Sequence, residues 1–257
     1  MMRMAGLLEV CADSVCSAVN AARGGADRIE LCSALPLGGL SPDEDLFCMV
    51  RERVDIPVRV LLRPRAGDFL YDEDEFELLC RQASRFAGLG ADGIVIGMLN
   101  PDGTLDTERM SALMACGDGC GVTLHRAFDV CRDAHEALRT AKKLGVDTIL
   151  TSGQQARCAD GAPLLRELVS ESGEGLRILI GGGVNADVIR ALAPQTGADA
   201  FHLSAKAAVP SGMEFRRENV PMGNPGLNEF ELWRCDEGAV RAAREALDAV
   251  CTARKEN

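Results

Sequence analysis

Apolar and polar residues alternate with period two in eight short stretches of the chain. In Leu7–Cys11, Leu8 and Val10 share one face and Glu9 and Cys11 the other, because successive strand residues point to opposite sides of a sheet. The same grammar marks Arg28–Leu31, Val58–Leu62, Gly93–Ile96, Val122–His125, Thr148–Thr151, Arg177–Ile180 and Ala200–Leu203. Helical patterns fill the gaps: Ser14 to Arg23, Asp72 to Gly88, Asp133 to Leu144, Ala162 to Ser170, Ala186 to Ala193 and Gly238 to Thr252. A further helix is expected from Ser41-Pro-Asp-Glu44, with Ser41 as cap and proline in the first turn.

Four similar tags, Gly25-Ala-Asp27, Gly90-Ala-Asp92, Gly145-Val-Asp147 and Gly197-Ala-Asp199, each close a helix and lead into a strand. Strands alternating with helices argue a parallel sheet, and eight units argue a closed ring. The expected fold is therefore an α/β protein, a single (β/α)8 TIM barrel spanning residues 1–257. Residues 209–236 break the rhythm, with several prolines and asparagines and the only tryptophan, Trp233. They read as an irregular lid or interface segment before the last helix.

Composition narrows the function classes. Apolar residues make up 47 % of the 257, enough for a large core, and no apolar run is long enough to span a bilayer. Glu9 interrupts the apolar stretch near the start, which argues against a signal peptide. A net charge of −11 disfavours nucleic acid and anionic membrane as partners. Eleven cysteines, an odd number scattered through a long chain without CxxC pairs, suggest reduced thiols and a cytoplasmic location.

The polar faces of the strands carry the candidate chemistry. Under the barrel reading they line the lumen with Glu9, Glu30, Arg59, Arg63, His125 and His202. Such charge is costly inside a barrel unless it is paired or used. The candidate catalytic groups are Glu9, Glu30, Arg63, His125, Arg126 and Asp129, with Asp129 orienting the imidazole and His125 or Glu9 as general base. Glycines and a lysine after the later strands suggest an anion-binding site: Ser152, Gly153, Gly181, Gly182, Gly183, Ser204 and Lys206, with Arg63 and Arg65 orienting a second oxyanion. Two Glu-x-Cys units on neighbouring strands place Cys11 and Cys32 in phase. Two such thiolates suit a soft ion such as Cu(I), and two buried thiols acting as small hydrophobes fit the spacing equally.

Several of these stretches together resemble one family. They are Glu9-Val-Cys-Ala12, Gly25-Ala-Asp-Arg-Ile-Glu-Leu-Cys-Ser33, Leu62-Arg-Pro-Arg65 with Gly67-Asp-Phe69, His125-Arg-Ala-Phe-Asp129, Leu150-Thr-Ser-Gly153 and Phe201-His-Leu-Ser204. The set, spread from about Leu7 to Gly223, is similar to the CutC family of copper homeostasis proteins. One departure falls at Ala66, where the family tends to carry glycine beside Gly67. The resemblance implies a cytoplasmic barrel that forms homo-oligomers, dimers or tetramers, and Cu(I) binding by Cys11 and Cys32. The alternative is an enzyme of lyase, isomerase or hydrolase type. It would act on a small phosphorylated or carboxylated metabolite at the barrel mouth, with no organic cofactor implied.

Overall fold

The computed structural model describes residues 6–217, 220 and 228–254. Eight parallel strands close into a barrel in chain order. They are β1 (Leu7–Ala12), β2 (Arg28–Leu31), β3 (Val58–Leu61), β4 (Gly93–Ile96), β5 (Gly121–Leu124), β6 (Thr148–Thr151), β7 (Arg177–Ile180) and β8 (Ala200–Leu203). The helices around them are α1 (Val15–Arg23), α2 (Glu44–Arg51), α3 (Glu73–Gly88), α4 (Thr107–Cys116), α5 (Ala134–Leu144), α6 (Ala162–Ser172), α7 (Ala186–Thr196) and α8 (Glu237–Ala253). This is the TIM barrel that the alternation predicts.

The alternation sorts side chains as expected. Leu8, Val10, Ile29, Leu31, Val58 and Val60 face outward into one continuous core beneath the helices. Their polar neighbours Glu9, Glu30, Arg59, Thr123 and Thr148 are buried on the inner side. Two small apolar clusters fill the rest of the lumen: Cys32 with Leu61 and Val95, and Leu150 with Leu179 and Ala200.

The tag aspartates tie strands together at the N-terminal end. Asp27 Oδ2 accepts the Leu8 N–H at 2.7 Å while the Asp27 N–H donates back to the Leu8 carbonyl at 2.9 Å. Asp92 makes the same two-way contact with Val58, and Asp147 with Val122. The fourth differs: the Asp199 carbonyl accepts the Leu7 N–H at 2.8 Å, closing the ring, and its carboxylate lies 3.7 Å from Arg177 Nε. Arg59, expected in the lumen, also serves this lower end. Its guanidinium grips Asp147 through two hydrogen bonds of 2.7 and 3.0 Å and donates to Thr123 Oγ1. Gly93 and Gly121 make room for it, since a Cβ on either would lie within 2.8 Å of Arg59 side-chain atoms.

Three local expectations change. α2 is capped by Asp43, not Ser41. The Ser41 hydroxyl accepts the Arg63 N–H at 2.9 Å and donates to Gln82, so it joins the β2 loop to β3 instead. α4, which the pattern missed, follows a cap at Asp106 and buries only Met110 and Leu113. Within 209–236, residues 218–219 and 221–227 lie outside the described residues. The described flanks form an antiparallel ribbon, β9 (Lys206–Pro210) with β10 (Glu231–Cys235). Cys235 anchors it to α1 by accepting from Asn20 Nδ2 at 2.9 Å and donating its N–H to Ser17 Oγ at 3.1 Å.

Candidate functional site

The register of β1 with its two neighbours builds an ionic centre inside the barrel. Glu9 is level with Arg28 on β2 and with His202 on β8. Arg28 Nε donates to Glu9 Oε2 at 2.5 Å, and His202 Nδ1 lies 2.8 Å from Glu9 Oε1. Glu9 has no exposed surface. Burial opposes its charge, but Arg28 and His202 outweigh it and hold the carboxyl at about 2. Burial likewise opposes a charged His202, but Cys11, Glu30 and Glu9 hold its imidazole well above its usual range. Glu9, expected as a general base, is thus a fixed anion between two cations.

Above this centre opens a cavity of about 140 Å³. Cys11 and Glu30 face it from β1 and β2, with Cys32 just beyond β2. Arg63, His125 and His202 reach it from the tops of β3, β5 and β8. The wall between them is apolar: Leu35, Leu61, Phe69 and Leu150. Glu30, 6 % exposed, leaves Oε2 buried without a hydrogen-bond partner among the described residues. Burial outweighs the nearby His202 and Arg28, Glu9 adds to it, and the Glu30 carboxyl rises to about 7.

His125 is set by backbone chemistry. It caps the 3-10 helix Arg126–Val130, and its Nδ1 accepts the Ala127 N–H at 3.1 Å. An accepting Nδ1 carries no proton, so the neutral ring carries it on Nε2. That Nε2 is buried and unpartnered among the described residues. Burial, and then the charge of Arg63, push the imidazole down to about 3, so it stays neutral at physiological pH. Phe69 packs on the ring at 4.9 Å between centroids, and Gly97 leaves the space that the imidazole fills.

Arg63 arches over the same space. Its Nη1 donates to the carbonyls of Leu37 and Gly39 at 3.2 Å, its Nη2 donates to Gly67 at 2.9 Å, and its guanidinium lies 5.2 Å from the Phe69 ring centre. Among the described residues it forms no ion pair with a carboxylate. The Tyr71 hydroxyl is its neighbour, and burial ahead of Arg63 and Arg65 leaves that phenol raised to about 12.

Other expected residues lie elsewhere. Asp129 does not orient His125. It joins the β5 and β6 loops, accepting from Thr151 Oγ1 at 2.5 Å, from Ser152 N and Oγ at 3.0 Å and from Gln154 N at 3.2 Å. Arg126 Nε donates to Asp129 at 2.6 Å and its Nη2 to Ser152 at 2.8 Å, although Arg126 also borders the cavity. Ser152 is thereby consumed in that knot. Gly153 packs against Gly161, where a Cβ would meet the Gly161 carbonyl at 2.6 Å. Arg65 turns away to Glu75 and Asp68. Gly181, Gly182 and Gly183 turn the chain into α7, the last two at φ of +95° and +87°, and neither they nor Ser204 line the cavity. Lys206 sits on the exposed ribbon, 4.9 Å from the Trp233 ring centre.

Two groups could meet a metal. Glu9, Glu30 and His202 bring three donor atoms within 4.8 Å of one another. That cluster is already compensated by Arg28 and by the proton on His202, which repel a further cation. Cys11 and Cys32 are the softer pair. Cys32 is 1 % exposed, and its thiol donates weakly to the Ala12 carbonyl at 3.6 Å. Burial, then Cys11, Glu30 and Asp13, push that thiol far up. Two thiolates on one cavity repel unless a cation joins them, and the cationic His202 beside Cys11 can balance the extra negative charge of a bis-thiolate. The donor set therefore fits Cu(I).

Arg28, Phe69 and Gly97 are missing from the sequence-based list, and His202 appears there only as a lumen residue. Arg28 was legible from its parity with Glu30. Phe69 and Gly97 act by packing on His125 and leave no periodic signal.

The comparisons with known proteins agree with this geometry. The CutC family model matches residues 6–207. The human copper homeostasis protein cutC homolog is 44 % identical over 237 residues, 91 % of this chain and 86 % of the relative. A CutC family protein of Bacteroides fragilis is 44 % identical over 227 residues, 88 % of this chain and 90 % of the relative. A crystal structure of CutC from Streptococcus agalactiae superposes with a TM-score of 0.73 at 27 % identity, covering 77 % of this chain and 98 % of that one. A barrel with this register, this lumen and these relatives has one reading: the chain belongs to the CutC family.

Proposed function

We propose that the protein acts in copper homeostasis by binding one Cu(I) ion per chain through the thiols of Cys11 and Cys32. The observation that carries this reading is that both thiols border one cavity, Cys11 from β1 and Cys32 from just past β2, beside a cationic imidazole. Cu(I) favours two soft ligands, and binding displaces the thiol protons. The human relative is named a copper homeostasis protein, which supports the assignment. All eleven cysteines are free thiols, consistent with a reducing cytoplasm. No helix among the described residues is long and apolar enough to cross a membrane. Exposed Val209, Phe215, Leu232 and Trp233 on and near the ribbon support a homo-oligomer contact there.

Anaerobic titration with Cu(I) against a competing chelator tests the reading. Wild type is expected to take up about one equivalent with release of protons. The Cys11→Ser/Cys32→Ser double variant should take up none tightly. Unchanged affinity in that variant overturns the proposal.

A further inference from the structure

The mouth cavity holds more unmet hydrogen-bonding capacity than two thiols require. Among the described residues six buried side-chain N or O atoms lack a partner; Glu30 Oε2 and His125 Nε2 belong to residues bordering this one cavity, whereas the Arg63 Nε lies on the side of the Tyr71 hydroxyl and only the charge of Arg63 bears on the cavity. Buried polar atoms left unpaired cost free energy, so their clustering marks a place where a ligand supplies the partners.

The signs of the unmet groups define that ligand. His125 presents Nε2–H, a donor, because Nδ1 already accepts the Ala127 N–H. Arg63 adds a positive charge that no carboxylate of the described chain balances. Both call for a negatively charged or strongly polar oxygen. Glu30 Oε2, bordering the same space, is matched by a hydroxyl, which can donate to the carboxylate or accept from the protonated acid. Leu35, Leu61, Phe69 and Leu150 leave the remaining wall apolar. At about 140 Å³ the space resembles the ~150 Å³ cavities that admit a six-atom ring.

We infer that the mouth is a binding site for a small hydroxycarboxylate, whose carboxylate meets His125 Nε2–H and Arg63 and whose hydroxyl meets Glu30. The site shares its cavity with the copper site but does not depend on it. Lactate and glycolate have the required groups and size, with the lactate methyl against the leucines. The neutral imidazole acts as a hydrogen-bond donor to the bound oxygen, the role that holds charge in a water-poor pocket.

The test uses the full chain and sodium lactate. The protein has three histidines, so ring ¹⁵N spectra of labelled protein resolve His125 directly. Saturable movement of the His125 Nε2 resonance with lactate, and none with 1-propanol, is the expected result. Saturation-transfer NMR on the lactate methyl then compares variants. Arg63→Gln is expected to weaken binding by at least about tenfold. His125→Asn, which keeps an acceptor for Ala127 N–H but whose shorter side chain removes the Nε2–H donor from its place, should weaken it comparably. No His125 shift up to roughly 100 mM lactate or glycolate overturns the inference, since even millimolar affinity would show. A shift that propanol reproduces overturns it too. The Cys11→Ser/Cys32→Ser variant separates the two readings: it should lose Cu(I) and keep lactate. If copper uptake fails in wild type while the His125 shift persists, only the copper reading falls.

Discussion

His202 Nδ1 stands 2.8 Å from Glu9 Oε1 across the seam where β8 meets β1 and the ring closes. Arg28 completes the contact from β2, so one fully buried carboxylate holds two cations on the strands either side of it. Removing one member of a buried ionic group leaves the others uncompensated, a loss of about 3–5 kcal/mol. Glu9→Gln keeps the shape and removes the charge. It should lower stability by that order in urea unfolding, and a change below about 1 kcal/mol would show that the centre is not a closing clasp.

Asp129 makes a second prediction. Its carboxylate accepts from Thr151, Ser152 and Gln154 and pairs with Arg126, tying the tops of β5 and β6. Asp129→Ala should destabilise by on the order of 3 kcal/mol, because several donors lose a charged acceptor together. The His125 ring signals should move little, since Asp129 makes no hydrogen bond to that imidazole. A large His125 shift would restore the orienting role.

The pH dependence of stability carries a third. Burial first, then Arg63, lower the His125 imidazole from 6.5 to about 3. The unfolded chain therefore binds this proton at higher pH than the folded one. The contribution is fully present above pH 6.5 and is lost as the pH falls from there towards 3, by up to about 1.4 kcal/mol per unit. His202 has the opposite sign: its folded value is raised, so its contribution is present below its unfolded value and fades as pH rises through the folded one. His125→Gln should flatten the acid limb of the stability curve. A wild-type limb in that variant would contradict a neutral, buried His125.

Gly121 gives a fourth. A Cβ there would lie 2.6 Å from Arg59 Nη2 and 2.9 Å from Asp147 Oδ2. Gly121→Ala should cost about 1–3 kcal/mol by forcing the Arg59–Asp147 pair apart. Pairing it with Arg59→Met should relieve part of that cost; strictly additive losses in the double variant would show that crowding of Arg59 is not the cause.

The barrel was legible because strand and helix patterns alternate eight times and period two is clear in several strands, as in β1 with Leu8 and Val10 outside and Glu9 and Cys11 inside. The convergence of Glu30, Arg63 and His125 followed from that parity and from their places at or near the strand tops. α4 was not legible, since only Met110 and Leu113 mark its buried side. Apart from Arg126, the partners of Asp129 lie 22 to 25 residues away, at the end of β6 and in the loop after it, and no local pattern encodes such a contact. Arg65 and Lys206 suggest anion ligands by their charge and their places after β3 and β8; in the structure Arg65 pairs with Glu75 and Lys206 lies by the Trp233 ring, contacts that sequence position does not encode. The proton position on His125 depends on one backbone N–H and is invisible before the chain is folded.

The two-way contacts of Asp27, Asp92 and Asp147 with Leu8, Val58 and Val122 have a consequence beyond the strands they join. They fasten the foundation of the ring using residues remote from every loop that carries chemistry. Mutational drift at the opposite rim therefore leaves the closure intact, and one scaffold can acquire a new cargo by rewriting its upper edge alone.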